Sequence, residues 1–347
     1  MKALSLIVSA FVLFTPVSAQ QRQAQPKKAA TVTSGFKGLG FIDYYYNAQN
    51  PSPDAKGLNA FDIRRLNLGY EHSFTKNVLV YSELEANDGE LTGTSKYSVF
   101  VKQAFVELKN ILPQMRMVMG LSPTPAVVTS ERLWGYRMLQ KLPLDYYGLA
   151  PTVDNGIALK GKIDPYGLLS YHVMVANGTG TLVESNKMKR IYASLGLTPT
   201  PGFVLEGYGD FENLGDDRYR ATFKGLVGYE SSSFTAALEG VYRINHQTVR
   251  RNYNESPYAV SLYGWMQADN DVRFVYRGDY YDPDQNRTSG IRMIEATIGI
   301  DYMPVNDVHI VPNLIYTSYT NKRSSGLKPD DAITLRLTAG FYFSSIR

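Results

Sequence analysis

The stretch FVLEGYGDFENLGDDRYRATFKGLVGYESSSFTAALEGVYRI, residues 203–244, decides the fold. It contains three segments in which apolar residues alternate with polar or small ones, as Leu238 alternates with Glu239. Successive side chains of a β-strand point to opposite faces, so each segment predicts a strand with one apolar and one polar face. A longer polar connection, 213–218, and a tight one, 231–233, join the segments, which predicts an antiparallel order.

The same pattern repeats along the chain and predicts sixteen strands. These are 37–47, 60–72, 78–87, 98–108, 115–121, 155–162, 168–177, 189–197, 203–211, 219–230, 234–244, 258–268, 272–280, 292–303, 308–319 and 333–343. Seven tight turns alternate with eight longer connections, as in outer-membrane barrels, which have short periplasmic turns and long outer loops. A soluble β-sandwich gives no reason for this alternation. The predicted fold is therefore all-β, a transmembrane antiparallel β-barrel of about 16 strands over residues 35–347.

Composition excludes several other classes of protein. The chain has 26 Tyr and no Cys, and its 36 Lys and Arg against 32 Asp and Glu leave a net charge of +4. The absence of Cys excludes disulfides and thiolate metal sites. The weak charge excess and the lack of base-reading motifs argue against nucleic acid. Tyrosine suits the boundary between lipid and water in a membrane barrel.

The first residues predict export. A positive start at Lys2, an apolar run from Leu4 to Val17 and the small residues Ser18 and Ala19 indicate a cleaved signal peptide, residues 1–19. The alternative is a membrane anchor, for which the run is short. Residues 20–34 are predicted to be a flexible periplasmic lead-in. Together with the barrel, this predicts the outer membrane of a Gram-negative-type bacterium and contact with outer-membrane lipid.

The longest connection, 122–154, is the third of the eight long loops. Loops of this size are usually functional, and its position favours folding back into the lumen rather than forming an external lid. Its charged residues are then predicted to form the pore constriction: Glu131, Arg132, Arg137, Lys141 and Asp145.

Strand parity predicts which residues face the lumen. The inward positions are mainly polar, which predicts a water-filled channel and not a dry core. Basic residues expected on the lumen wall are Arg65, Arg116, Lys160, Arg243, Arg277 and Arg336. Carboxylates share this wall, and a small basic excess predicts passive diffusion of small hydrophilic solutes and ions with a mild preference for anions.

Signals of an enzyme or a cofactor are weak. The four histidines, His72, His172, His246 and His309, lie in different segments without metal-ligand spacing. No glycine-rich phosphate loop and no local nucleophile signature occurs in the sequence. We therefore expect neither catalytic residues, nor a metal, nor a cofactor. Two alternatives stay open: a barrel acting as a surface receptor or adhesin, and a barrel enzyme acting on lipid.

Three segments resemble a known family of porins. Residues 61–71 (FDIRRLNLGYE), 102–107 (KQAFVE) and 117–125 (MVMGLSPTP) are similar to strand patterns of the phosphate-selective porin O and P family. Gln103 stands where an acidic residue is common in that pattern. The resemblance implies a sixteen-stranded outer-membrane porin, often a homotrimer, with a preference for anions or phosphate.

Overall fold

A computed structural model describes residues 33–87, 97–246, 255–287, 290–323 and 328–346. The predicted signal peptide, residues 1–19, lies outside these described residues. So does most of the predicted lead-in, but Thr33 and Ser34 at its end already belong to the first strand.

The described residues form a closed barrel of sixteen antiparallel strands, in which every strand pairs with its neighbours in sequence and the last pairs with the first. The predicted fold class is confirmed. The strands are β1 Thr33–Gln49, β2 Asn59–Thr75, β3 Val78–Asn87, β4 Ser98–Lys109, β5 Met115–Pro123, β6 Val153–Lys162, β7 Leu169–Ala176, β8 Arg190–Leu197, β9 Phe203–Gly215, β10 Arg218–Glu230, β11 Phe234–His246, β12 Tyr258–Asp269, β13 Val272–Asp282, β14 Ile291–Val305, β15 Val308–Asn321 and β16 Ala332–Ser344.

Among the described residues, helix is confined to the connections. A 3-10 turn at Pro53–Ala55 follows β1, and two short α-helices, α1 Val128–Trp134 and α2 Pro143–Tyr146, lie between β5 and β6. In the described part of the chain, no helix is both long and apolar enough to cross a membrane.

One predicted loop is in fact a tight turn. The strands β9 and β10 extend to Gly215 and Arg218, so the predicted connection 213–218 shrinks to Asp216 and Asp217. Both have positive φ, 51° and 57°, as the central residues of a type I′ hairpin turn require. Asp tolerates this left-handed region better than most residues. A prediction from residue polarity alone does not use this property, so it placed a longer loop here.

Alternation along the strands separates the two faces of the wall. In β2, Leu66 and Leu68 are exposed on the outside, and Asn67 between them is buried on the inside. The alternation predicted from the sequence is confirmed at these positions.

Closure of the barrel depends on close packing at the seam between β1 and β16. Gly38 pairs with Phe343 across this seam and lies next to β2. A Cβ atom at Gly38 would lie 2.5 Å from the Asn67 carbonyl oxygen and 2.6 Å from the Phe343 ring. The seam therefore has no room for a larger side chain at position 38.

We predict that Gly38→Val lowers the yield of folded barrel, because overpacking of this kind costs about 1–3 kcal/mol. Refolding into detergent or lipid, followed by circular dichroism and the mobility of unheated protein on denaturing gels, measures the yield. Gly240→Val in β11 is the matched control, since a Cβ atom there would meet no atom within 4 Å. Equal yields for the two variants would contradict the importance of the seam.

Candidate pore constriction

The connection between β5 and β6, residues 124–152, is called loop 3 here. Its first helix, α1, ends at Gly135, whose φ of 66° is left-handed and whose N–H bonds the Glu131 carbonyl oxygen. Its second helix, α2, begins with Pro143, a residue favoured at the first helical position. These turns fold the loop into a compact body rather than an extended strap.

Loop 3 lies inside the barrel. Trp134 is fully buried against Tyr263 of β12, with their ring centroids 5.7 Å apart. The Tyr136 hydroxyl donates a hydrogen bond of 2.7 Å to Asp301 of β14. The predicted inward fold is confirmed, and the external lid is not what the structure forms.

The lumen is drier than the sequence predicted. Two apolar clusters join loop 3 to inward-facing side chains of the wall. The first contains Leu133, Trp134, Tyr136, Met138, Leu139 and Leu142 of the loop with Phe41, Val204, Leu226, Ala237, Tyr263, Val275 and Val311 of the wall. The second contains Ala126, Val127, Leu144, Leu149 and Ala150 of the loop with Val118, Ala158, Met174, Ala176, Tyr192, Tyr208 and Val241 of the wall. The expectation of a lumen without a dry core was therefore wrong where loop 3 packs against the wall. Full burial of each large apolar side chain contributes about 1.5–3 kcal/mol towards holding the loop there.

Cations of the wall bind backbone carbonyl oxygens of loop 3. Arg243 donates to the Gly148 oxygen at 2.9 Å, and Lys224 donates to the Ala126 oxygen at 2.6 Å. Further donors and their carbonyl partners are Arg64 to Met138, Arg336 to Leu139, Arg277 to Gln140 and Arg190 to Leu149. Three of the predicted wall residues, Arg243, Arg277 and Arg336, thus hold the loop in place.

Four of the five predicted constriction residues come together. Arg137 forms ion pairs with Glu131 and, at 2.6 Å, with Asp145, and Lys141 is exposed beside them. Burial raises the pKa of Asp145, but Arg137 and Lys141 outweigh it and hold that pKa below its ordinary value. This part of loop 3 is therefore charged at neutral pH.

Arg132, the fifth predicted residue, is not part of this group. It forms an ion pair with Glu230 at the end of β10, the end that carries the short turns. Arg132 and Arg137 are five positions apart in the sequence, which gave no sign that they would separate. They separate because Gly135 ends helix α1 between them.

A cavity of about 550 Å³, called the outer cavity here, lies on the long-loop side of loop 3. Six basic residues line it, with two acidic ones: Arg65, Lys102, Arg137, Lys141, Arg190 and Arg220 with Glu85 and Asp145. The Glu85 carboxylate is 1% exposed and lies 3.3 Å from Arg65 and 3.5 Å from Lys102. Asp210 and Glu212, which pair with Arg190, are equally buried. Arg65 and Lys102 are more exposed than the Glu85 carboxylate between them, and Arg220 is more exposed than Glu212, so the surface offered to a solute is basic at these places.

A second cavity of about 440 Å³, the inner cavity, lies on the short-turn side of loop 3. Arg116, Lys160 and His172 line it and pair directly across strands β5, β6 and β7. Lys109 of β4 extends the same row, opposite Arg116. Lys109, Arg116 and Lys160 carry like charges at directly paired positions, which destabilises a sheet. Glu107 lies 3.4 Å from Arg116, and Glu206 also lines this cavity.

Sequence parity missed several of these groups. Arg64 lies at a register shift in β2, where the bulge turns both Arg64 and Arg65 towards the lumen. Lys102 lies next to a similar shift between β3 and β4. A bulge adds one residue to one strand, so a strict count of two along the sequence fails there.

Comparison with known proteins supports the fold. No protein-family model matches the chain. An uncharacterized protein of Aquifex aeolicus (strain VF5) is 25% identical over 260 residues, which cover 72% of this chain and 53% of that protein. The chain thus spans about half the length of this curated relative.

Similar solved structures are outer-membrane channels. The anion-selective porin from Comamonas acidovorans has a TM-score of 0.65 at 12% identity and covers 90% of this chain and 100% of its own. The outer-membrane channel DcaP of Acinetobacter baumannii has a TM-score of 0.65 at 14% identity, covering 92% and 100%. OmpF of Salmonella typhi has a TM-score of 0.61 at 13% identity, covering 89% and 97%. The chain therefore has the barrel fold of these porins, and at such low identity the likeness extends to the fold alone.

We predict that the fluorescence of Trp134 reports the position of loop 3. The chain has two tryptophans, so Trp265→Phe leaves Trp134 as the single emitter, and acrylamide should quench it poorly. Arg277 lies 5.5 Å above the Trp134 ring and reaches the Gln140 carbonyl, to which the indole N–H also donates at 2.9 Å. Adding Arg277→Met should increase quenching several-fold, because the loop loses this contact.

Arg116→Met in the same Trp265→Phe background is the control, since Arg116 pairs with Glu107 of the wall. Equal quenching in the Arg277 and Arg116 variants would mean that Arg277 does not hold loop 3.

Proposed function

We propose that this protein is an outer-membrane porin that lets small hydrophilic solutes and ions diffuse passively, with a preference for anions. The fold shared with outer-membrane channels supports the coarser part of this proposal. The proposal also includes export by a cleaved signal peptide, a location in the outer membrane of a Gram-negative-type bacterium and contact with its lipid. Assembly as a homotrimer stays a prediction.

The observation that carries the anion preference is the arrangement of charge around both cavities. Six basic residues line the outer cavity against two acidic ones, and the Glu85 carboxylate between Arg65 and Lys102 is less exposed than either cation. Arg116 and Lys160 line the inner cavity at directly paired positions. Rings of Arg and Lys in a pore raise the local concentration of anions and repel cations.

Loop 3 supports a sieving mechanism. It is packed against most of the barrel circumference through its two apolar clusters and is held by the wall cations. Arg137, Lys141 and Asp145 of the loop then face the remaining space beside Arg65 and Lys102. Size exclusion follows from the loop, and charge selection follows from the groups on either side of the space.

A preference for phosphate, implied by the resemblance to the phosphate-selective porin O and P family, is a narrower proposal. The directly paired Lys109, Arg116 and Lys160 support it, because a doubly charged anion gains more than a singly charged one from several cations. Competition of phosphate with chloride current tests it.

Catalysis does not enter the proposal, which assigns the protein no cofactor. Groups of three or more potential metal ligands do not occur among the described residues.

A surface receptor or adhesin is a second candidate function. Loop 3 and its two apolar clusters fill a large part of the lumen. This favours a receptor or adhesin, since such a protein needs no open path. Absence of any ion current in lipid bilayers would select this candidate over the porin.

We predict that the purified protein in a planar bilayer gives current steps whose reversal potential in a salt gradient favours chloride over the cation. Lys141→Glu should lower the anion-to-cation permeability ratio about fivefold or more, because unit charges at about 4 Å in water interact by ~1 kcal/mol and the substitution reverses the sign of this interaction. Lys187→Glu is the matched control, an exposed lysine of the connection between β7 and β8 that is not among the residues lining the outer cavity.

A clear cation preference of the unaltered protein would overturn the anion selectivity. An equal shift from both lysine variants would assign the selectivity to overall charge and not to the outer cavity.

A further inference from the structure

The connection between β7 and β8, residues 177–189, is called loop 4 here, and a single buried carboxylate fixes its base. Asp154 at the start of β6 is fully buried and accepts hydrogen bonds from the Gly178 N–H at 2.7 Å and the Gly180 N–H at 3.3 Å. It also accepts from the Tyr192 hydroxyl at 2.5 Å and the Asn155 N–H at 2.9 Å. Four hydrogen bonds to one buried carboxyl group hold this base firmly.

The two glycines of loop 4 suit this position and leave little room for movement. Gly178 and Gly180 have φ of 92° and 66°, in the region that favours glycine. A Cβ atom at Gly178 would lie 2.8 Å from the Glu212 carboxylate oxygen of β9. The start of loop 4 therefore lies directly against the wall.

From this base, loop 4 reaches the outer cavity. Thr179 to Leu182 line that cavity together with Arg137, Lys141 and Asp145 of loop 3. Leu182 is 76% exposed. Loop 4 thus contributes an exposed apolar side chain to a cavity that eight charged residues also line.

The wall contributes a second apolar group to the same cavity. Phe100 of β4 lines it and pairs directly with Glu85 of β3. Lys102, two residues further along β4 on the same face, lies 3.5 Å from Glu85. An aromatic ring and a solute-facing cation therefore stand next to each other in the outer cavity.

We propose that loop 4 forms a second jaw of the outer cavity, and that this cavity favours organic anions with an apolar group over small anions of equal charge. The inference deepens the proposed function and rests on it. The cations Lys102, Arg137 and Lys141 attract the carboxylate, and Leu182 and Phe100 remove the apolar group of the solute from water. A fully hydrated inorganic anion gains only the first of these interactions.

The test compares two monovalent carboxylates that differ in their apolar group. Channels of the full chain in planar bilayers carry chloride current, and sodium benzoate or sodium acetate is added on the long-loop side. Benzoate should reduce the chloride current at a several-fold lower concentration than acetate. Both ions carry one charge, so the difference reports the apolar contact.

Variants then locate this contact. Leu182→Ser and Phe100→Ser should each bring the blocking concentration of benzoate closer to that of acetate and leave the chloride-to-sodium permeability ratio unchanged. Val183→Ser is the matched control, because Val183 is 89% exposed in the same loop and outside the set of residues lining the cavity.

Asp154 acts here as a positioning residue. Asp154→Asn should weaken the preference for benzoate in the same way, with the chloride-to-sodium ratio retained, since it frees loop 4 without altering a lining cation. Circular dichroism and gel mobility of unheated protein show whether this variant folds, and the Leu182 variant decides the question if it does not.

Equal block by benzoate and acetate in the unaltered protein would overturn this inference and leave the porin proposal intact. An equal loss of preference in the Val183 and Leu182 variants would also overturn it. Absence of channels would instead overturn the proposed function itself.

Discussion

The bonds from wall cations to the carbonyl oxygens of loop 3 are the interaction on which the interior depends. An irregular loop inside a barrel carries backbone carbonyls that regular structure does not satisfy, and a buried carbonyl without a partner is costly. Arg243, Lys224 and Arg277 supply those partners from three different strands. Arginine is suited to this task, because it stays charged and offers five donors in a rigid fork. The apolar clusters fill the space between these bonds, so polar and apolar contacts fix the same loop position.

This use of the wall cations divides the basic residues into two sets with different consequences. Arg277 and Arg336 are bound to the loop backbone and little exposed, so solutes meet little of their charge. Arg116 and Lys160, in contrast, line the inner cavity next to each other. A count of basic residues from the sequence therefore overstates the positive charge that acts on a solute. The burial of carboxylates has the opposite effect, because it reduces the negative charge that the same solute meets. Glu85 and Glu212 are both buried behind cations, which leaves the cavity surface more basic than a sum of charges would suggest.

Sequence alone could predict the wall because its signal is local. Each strand has lipid on one side and loop 3 or water on the other, so apolar and polar residues alternate along it with a period of two. This alternation is visible in the sequence of a single strand, such as 234–244. The prediction failed where a local rule is interrupted. The bulge at Arg64 shifts the count by one, and the turn at Asp216 and Asp217 needs a backbone conformation that polarity does not reveal. The partners of loop 3 were beyond such a reading, because Tyr136 meets Asp301 across 165 positions of sequence.

The dry clusters also explain why the charged face of loop 3 points where it does. Inward positions on β9 to β15 carry Val204, Leu226, Val275 and Val311, so this arc of the wall behaves like one sheet of a sandwich with loop 3 as its other layer. The loop must turn its apolar face to that arc, and its charged group of Arg137, Lys141 and Asp145 must then face away from it. On the opposite arc, β2 to β4 place Arg65, Glu85 and Lys102 beside this group. The position of the constriction thus follows from an apolar contact on the far side of the barrel, and changes to inward valines there should move the charged groups that select the solute.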